Sequence, residues 1–457
     1  MTEKRQFQAI KGTRDILPAE SALWNWFEQT AREIFETYGF RDIRLPIFEE
    51  TWLFARSIGE ETDIVSKEMF TFFKRSEPEE SPKDLMQRLA RQPARDLREE
   101  DLRALGDLLT LRPEATAGSV RAYIEHGMYT QPGNVKLYYI GPMFRRERPQ
   151  KGRYRQFYQV GAEVLGPSDA PAIDAEMLEM LLVFFERVGL TKTTLYINSI
   201  GCHECRPKYV ELLREELRKV KDQLGADSQR RIETNTLRVL DSKLPHEQAI
   251  IEKLPRISER LCEACREHFA KLKDELKLRN IAYQENWRLV RGLDYYTRTT
   301  FEVTAAGLGS QNAVCGGGRY DGLVELLGGP AGIKGIGFAI GTDRAILSLQ
   351  ESGHLPRLPS LEVFVAWMGA TAYPVAVGMA RKLRARGFSV ELPPEEMKFK
   401  KSLGLADKLG ARYALIIGED EAASGTYTLK RLADAQQQKF SESALLEHLV
   451  SERGQGR

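Results

Sequence analysis

Two stretches that alternate in the strand period, "NVKLYYIGPMF" and "RQFYQVGAEV", are separated only by "RRERPQKGRY", which commits this part of the chain to a long antiparallel hairpin. Period-2 geometry then sends Phe157, Gln159, Gly161 and Glu163 to one face. Gly161 leaves that face open, so an amide and a carboxylate flank a missing side chain and form a polar floor for a small molecule. A buried floor requires donors or a cation to keep Glu163 ionised, whereas a floor facing water is an ordinary strand surface; alternation alone leaves both readings open.

The hairpin loop is basic. Positions 145 to 155 hold six Lys or Arg against one acid, Glu147, while the whole chain of 457 residues carries 67 Lys+Arg against 65 Asp+Glu, a net charge of +2. The positive field is therefore local, and a phosphate-bearing partner is the functional reading beside the plain one of a solvated loop tip. With 42% hydrophobic and 29% charged residues the chain is large enough for two or three well-filled domains. The opening "MTEKRQFQAIKG" lacks the apolar core of a signal peptide and no run of eighteen apolar residues occurs, so a cytoplasmic protein without membrane insertion is expected. Five cysteines, an odd number, argue against a disulfide framework.

Around the hairpin the organisation can be read in order. Leu23, Phe27, Ile34, Phe35 and Tyr38 recur at helical spacing, and Gly39 supplies a left-handed stop. Ile43, Leu45 and Ile47 alternate as in a strand, with Pro46 marking an edge or an interface. Residues 74 to 107 carry 17 charged side chains in 34 positions and are expected to form an exposed helical excursion. "LTLRPEATAGSVRAYIEHGM" reads as a strand entering a helix, residues 202 to 280 as a charged helical insertion, and "GIGFAIGTDRAILSL" as a strand entering a helix capped by Thr342. A Pro- and Gly-punctuated linker at 351–360 precedes a C-terminal segment, 361–457, whose strand–helix alternation predicts a small parallel sheet.

The glycine-rich stretches exclude the familiar nucleotide folds. "GIGFAIG" spaces its glycines GxGxxxG, and "CGGGRYDG" lacks the Lys-Ser or Lys-Thr of a phosphate loop. Arg344 falls in the first turn of a helix, where backbone N–H groups already favour an anion. "RLVRGLDYYTR" gathers Arg291, Asp294, Tyr295, Tyr296 and Arg298 into one short segment, and Glu114 follows Pro113 at a helix start.

Taken together, "YGFRDIRLPIFEE", "LTLRPEATAGSVRA", "YIGPMFRRERPQKGRYRQFYQVGAEVLG", "LVRGLDYY", "CGGGRYDGL" and "GIGFAIGTDRAIL" resemble, in this order, the three motifs of class II aminoacyl-tRNA synthetases and the two histidine-specific segments of the histidyl-tRNA synthetase family. The resemblance runs from "KGTRDILP" at 11–18 through the C-terminal segment. It implies an α+β fold: a class II antiparallel-sheet catalytic domain at 1–350 with the helical insertion at about 202–280, and an α/β anticodon-binding domain at 361–457. It also implies a histidine–tRNA ligase that joins L-histidine to ATP, releases pyrophosphate and passes the histidyl group to the 3' end of tRNA(His).

The residue roles follow from the same resemblance. Arg145 matches the arginine bridging the histidine carboxylate and the α-phosphate, Arg291 one holding the α-phosphate, and Arg344 one at the γ-phosphate. Glu114 and Thr116 match positions that hold the α-amino group, Gln159 and Glu163 the polar floor described above, and Tyr295 and Tyr296 the wall around the imidazole. Arg148 and Gln150 fall where a loop approaches the tRNA acceptor end. Magnesium would accompany the β- and γ-phosphates, and a homodimer through the first motif would account for Pro46. Ala115 stands where the family usually has glycine, so the backbone there must avoid positive φ or tolerate strain.

"CHEC" (Cys202, Cys205) and "CEAC" (Cys262, Cys265) are thiolate pairs of structural-zinc type, yet 56 residues separate them where about fifteen to twenty is usual, so zinc ligation and coincidence both stand. Cys315, beside three glycines, reads as a packing residue. The competing function is a non-catalytic paralogue regulating the ATP phosphoribosyltransferase of histidine biosynthesis. Such proteins generally lack the C-terminal domain and degrade the arginines and "LVRGLDYY" that this chain keeps.

Overall fold

The computed structural model describes residues 7–59, 62–74, 84, 108–306, 312–353, 355–356 and 361–454. The charged excursion at 74–107 falls almost wholly outside these residues, and so does 357–360 of the expected linker. The chain divides into two compact units, Met1–Pro356 and Arg357–Arg457.

The first unit is built on an eight-stranded sheet. Its strands are β1 (Arg41–Asp42), β5 (Val135–Phe144), β6 (Gln156–Gly166), β7 (Thr193–Ser199), β8 (Gln284–Glu285), β9 (Thr297–Ala305), β10 (Ala313–Arg319) and β11 (Lys334–Gly341), in the order β1-β5-β6-β11-β10-β9-β7-β8. All the pairings are antiparallel except the two at the edges, β1 with β5 and β7 with β8. The expected hairpin is β5–β6, with Tyr139 opposite Gly161 and Leu137 opposite Glu163.

Helices cover one face of this sheet. Helix α1 (Pro18–Thr37) starts with proline, which needs no N–H partner there, and ends in a turn where Gly39, at φ 80°, donates to the carbonyl of Glu36. Its inner residues Phe27 and Phe35 are fully buried against Phe184 of a second helix (Pro171–Arg187), at ring separations of 4.9 and 5.8 Å, and Phe35 also meets Phe338 of β11 at 5.8 Å. Each such ring contributes about 2–3 kcal/mol of apolar burial. On the same face Arg319 of β10 is fully buried and pairs with Asp174 of the second helix at 2.7 Å. With one face committed to helices, the other is left for a site.

A small sheet joins β2 (Phe48–Glu50), β4 (Leu108–Leu111) and β3 (Phe70–Phe73) in that order. The expected strand through Ile43, Leu45 and Ile47 is not formed, because 43–47 crosses from one sheet to the other. Its carbonyls are taken by the buried Arg112, whose guanidinium donates to Leu45 and Pro46 while its Nε donates to Pro142. Pro46 has no N–H to offer a ladder, and a side chain supplies the bonds instead.

The helical insertion lies between β7 and β9, which are direct neighbours, and comprises helices Arg206–Lys219, Ala226–Thr234, Pro245–Ile251 and Glu263–Leu278. The second unit carries a five-stranded sheet ordered β13 (Val390–Glu391), β12 (Val363–Trp367), β14 (Tyr413–Ile417), β15 (Thr426–Arg431) and β16 (Gln437–Ser441). The first three are parallel as expected, but β15 and β16 add antiparallel strands, so the sheet is mixed. Val365, Leu415 and Ile417 form the centre of its core with Leu383 and Leu445.

Candidate active site

The open face of the large sheet carries a cavity of about 280 Å³. Its floor is shaped by glycines over which side chains from neighbouring strands lie. The Tyr139 ring occupies the place a Cβ on Gly161 would take, so the space left by Gly161 is filled, correcting the expectation of an open position. In the next row the Glu163 carboxylate covers Gly337, and Arg291 lies over Gly316. A side chain at any of these positions would displace a polar group from the cavity.

One end of the cavity abuts a buried acidic pocket: Glu114, Thr116, Gln159, Tyr295, Tyr296 and Tyr320 line the cavity, while Glu163 lies behind Thr116 and Tyr320 and does not line it. Glu163 accepts a hydrogen bond from the Thr116 hydroxyl at 2.7 Å and another from the Tyr320 hydroxyl at 2.6 Å. Burial pushes its carboxyl up to about 8; the two donors act against that and the nearby Glu114 adds to it. Glu114 accepts the backbone N–H groups of Thr116 and Ala117 at 2.7 and 2.9 Å, capping the helix Thr116–Glu125, and burial raises its carboxyl as well. Tyr295 reaches Glu114 at 3.4 Å and packs against Tyr296, tilted at 4.7 Å, and edge-on to Tyr320 at 5.8 Å. The Gln159 Oε1 is buried without a hydrogen-bond partner. Two confined carboxyls and an orphan acceptor make a pocket that favours a ligand with positive charge and N–H donors.

The other end is basic. Arg145 is aimed by its Nε bond to the Pro113 carbonyl at 2.9 Å and lies over the Phe157 ring at 5.3 Å. Arg291 pairs with Glu302 at 2.9 Å, and Arg344 donates to the Ala313 and Gly152 carbonyls at 3.1 and 3.3 Å. The three arginines line one cavity with the acidic pocket, although they come from positions 145, 291 and 344. Thr342 is not the cap of its helix: Gly341 holds the N-cap position, and the buried Thr342 hydroxyl has no partner. Asp343 there accepts the Tyr158 N–H at 3.0 Å and Arg14 at 3.2 Å, fixing the helix start to β6.

The basic loop divides its six cations. Arg145 and Arg153 face the cavity, both paired with Glu147, while Arg146 lies over the Phe70 ring and Arg155 reaches the Lys11 carbonyl. Arg148 and Gln150 sit exposed near the tip, where Gln150 and Arg153 exchange backbone bonds of 3.0 and 2.9 Å. Neither Arg148 nor Gln150 lines the cavity. A second cleft of about 480 Å³ adjoins Arg145 and Arg153 and is walled by Arg230, Arg231 and Arg238 of the insertion. Ala115 has φ −111°, so the residue that replaces glycine sits without strain.

Sequence reasoning missed Tyr139, Tyr320, Glu147 and Glu302. Tyr139 could have been found from its register opposite a bare Gly161; the other three depend on tertiary placement.

The family model of histidyl-tRNA synthetase matches residues 83–345, and that of the anticodon binding domain matches 362–452. The chain belongs to the histidyl-tRNA synthetase family. A histidine–tRNA ligase of Koribacter versatilis is 51% identical over 446 residues, covering 96% of this chain and 95% of that one, and one of Solibacter usitatus is 49% identical over 97% and 98%. The crystal structure of the apo S. aureus histidyl-tRNA synthetase superposes with a TM-score of 0.76 at 34% identity, covering 97% of this chain and all of that one. The eight-stranded sheet with its helical insertion is thus the class II catalytic fold of this family, followed by an anticodon-binding fold. A Bacillus halodurans structure described as an ATP phosphoribosyltransferase regulatory subunit/histidyl-tRNA synthetase shares the fold at 18% identity and TM-score 0.57. Among the described residues no helix is long and apolar enough to cross a membrane.

Proposed function

We propose that the chain is a histidine–tRNA ligase, which activates L-histidine with ATP and transfers the histidyl group to the 3' end of tRNA(His). The observation that carries this is the joining, in one cavity, of a buried carboxylate–tyrosine pocket and a cluster of three arginines. Relatives about half identical along nearly their full length bear the name histidine–tRNA ligase, which favours charging over the regulatory reading.

In the first step a histidine carboxylate oxygen attacks the α-phosphorus of ATP. A new P–O bond forms, the bond to the bridging oxygen breaks, and pyrophosphate leaves. Negative charge gathers at the α-phosphate, so catalysis rests on orientation and on cations already in place. Arg145 and Arg291 meet the α-phosphate, with Arg145 also holding the attacking carboxylate, and Arg344 receives the γ-phosphate; each offers a planar fork of donors. Glu114 and Thr116 hold the α-amino group, and Gln159 supplies its unpaired Oε1. Glu163 accepts an imidazole N–H between Tyr295 and Tyr296, so an analogue lacking that donor leaves a buried carboxyl one hydrogen bond short.

Glu302, beside Arg291 on the cavity wall, is a carboxylate of the kind magnesium takes up together with phosphate oxygens, and it would hold the ion that accompanies ATP. That ion would neutralise charge on the β- and γ-phosphates. In the second step a terminal ribose hydroxyl of the tRNA attacks the histidyl carbonyl and AMP departs. Arg148 and Gln150 face the acceptor end, and the arginine-walled second cleft continues that surface. The chain works as a cytoplasmic homodimer, supported by the exposed Phe48 and Phe72 rings on the small sheet, 6.4 Å apart.

Exchange of labelled pyrophosphate into ATP, with each amino acid offered in turn, tests the reading. Exchange with histidine alone supports it. A folded protein that exchanges with none overturns it in favour of the regulatory paralogue.

A further inference from the structure

The four cysteines that the sequence left 56 residues apart meet in space. Cys202 and Cys205 lie in the turn that opens the helix Arg206–Lys219, and Cys262 and Cys265 lie at the start of the helix Glu263–Leu278, so two helices begin at one corner. The Sγ–Sγ separations are 3.9 Å for Cys202–Cys205, 3.7 Å for Cys202–Cys262 and 3.9 Å for Cys205–Cys265, with all four sulfurs within 4.8 Å of one another. Four thiolates around one zinc ion, with Zn–S of about 2.3 Å, form a tetrahedron whose edges are about 3.8 Å. All four are free thiols, and the backbone N–H of Cys202 donates to the Cys205 sulfur at 3.3 Å, a bond that stabilises thiolate charge. The long gap in sequence is the length of the three helices, Arg206–Lys219, Ala226–Thr234 and Pro245–Ile251, folded between the two knuckles.

The same corner grips the histidine side of the cavity. Directly after Cys205, Arg206 donates to the backbone carbonyl of Tyr296. Gly201 accepts the Arg298 N–H at 2.8 Å, and the Ile200 N–H returns to the Arg298 carbonyl at 2.8 Å. Arg298 itself is held at φ 50°, a left-handed conformation a side-chain-bearing residue adopts only when its surroundings impose it. Both backbone bonds come from the two residues just before Cys202, and the Arg298 side chain is held by Asp169 at 2.6 Å.

We propose that Cys202, Cys205, Cys262 and Cys265 bind one zinc ion as a tetrahedral thiolate site, and that this site, through Arg206, positions Tyr296 at the cavity wall. The metal would tie the start of the helical insertion to the start of its last helix, next to the segment that carries the tyrosine into β9. Arg206 is a positioning residue, since it meets the backbone of Tyr296 and not the substrate.

Elemental analysis of freshly purified full-length protein, prepared without chelator, is the first test, and it does not depend on the functional reading above. One zinc per chain is expected. Cobalt exchanged into the site is expected to show the visible absorption of a tetrahedral thiolate complex. Cys262→Ser should lose the metal while Cys315→Ser keeps it. Iron in place of zinc, or no metal with four thiols open to titration or joined as disulfides, overturns the site. The positioning role rests on the ligase reading and is read separately: Arg206→Lys should retain zinc and raise KM for histidine several-fold with little change in KM for ATP. Equal changes in both, or none, overturn that role and leave the metal site standing.

Discussion

The carboxylate of Glu163 rests on Gly337, in the volume any side chain at that position would need. These residues pair directly between β6 and β11, so the strand register itself sets the carboxylate at its height above the sheet. A methyl group at 337 would also meet the Ala162 carbonyl, which cannot move without breaking the ladder.

Gly337→Ala is therefore expected to dislodge Glu163 and to strain the β6–β11 ladder locally at Ala162. Loss of a charge-assisted bond of about 1.5–3 kcal/mol predicts a rise in KM for histidine of about ten- to a hundred-fold. Pyrophosphate exchange over a range of histidine concentrations, with circular dichroism as the check on folding, measures it.

Glu163 also predicts a pH dependence. Its carboxyl is raised by burial to about 8 from an ordinary 4.5, so the folded empty site holds a proton that the unfolded chain releases. The stability it contributes is present in full below pH 4.5 and is lost as pH rises to about 8. Against Glu163→Gln, which does not titrate, the wild type should lose about 1.4 kcal/mol per pH unit across that window and run parallel above it. Denaturant titrations of both proteins at pH 5.5, 6.5, 7.5 and 8.5, values chosen to span the window, provide the comparison; a constant difference would disprove the burial argument.

Arg145→Lys keeps the positive charge and loses the fork. Lysine cannot hold both the Pro113 carbonyl and an incoming phosphate. A fall of about a hundred- to a thousand-fold in the exchange rate is expected, as for removal of one donor from a preorganised anion site, together with a rise in KM for histidine, whose carboxylate Arg145 also holds. A mild loss would place the charge alone, and not its geometry, at the centre of the chemistry.

Phe48→Glu tests the homodimer. A charge beside the exposed Phe72 ring should convert the protein to a monomer in light scattering, without altering its secondary structure. A dimer of undiminished mass would move the interface elsewhere.

Much of this was legible along the chain because the determining signals are local. The β5–β6 hairpin follows from period-2 alternation, and Gly39, at φ 80°, ends the first helix where it was expected to. The common face of Gln159 and Glu163 needed only the strand period. Other features were hidden because distant residues decide them. The alternation at Ile43, Leu45 and Ile47 was overridden by Arg112, far along the chain, and the role of Gly161 could not be judged without knowing that Tyr139 lies across it. The antiparallel pair β15–β16 escaped notice because β16, "QQKFS", is a solvent-facing edge strand with no apolar alternation to betray it.

The adjacency of β7 and β9 has a kinetic consequence. Ser199 pairs with Thr299, a hundred positions later, although no other strand separates them in the sheet. The entropy of closing so long a loop rises only slowly with length, but it must be met before the pairing returns anything. A module that folds early within the loop brings its two ends together and shortens the distance left to search. The catalytic sheet should then be completed from its interior insert outward, and refolding followed at Trp287, beside the insertion, should precede refolding followed in β10.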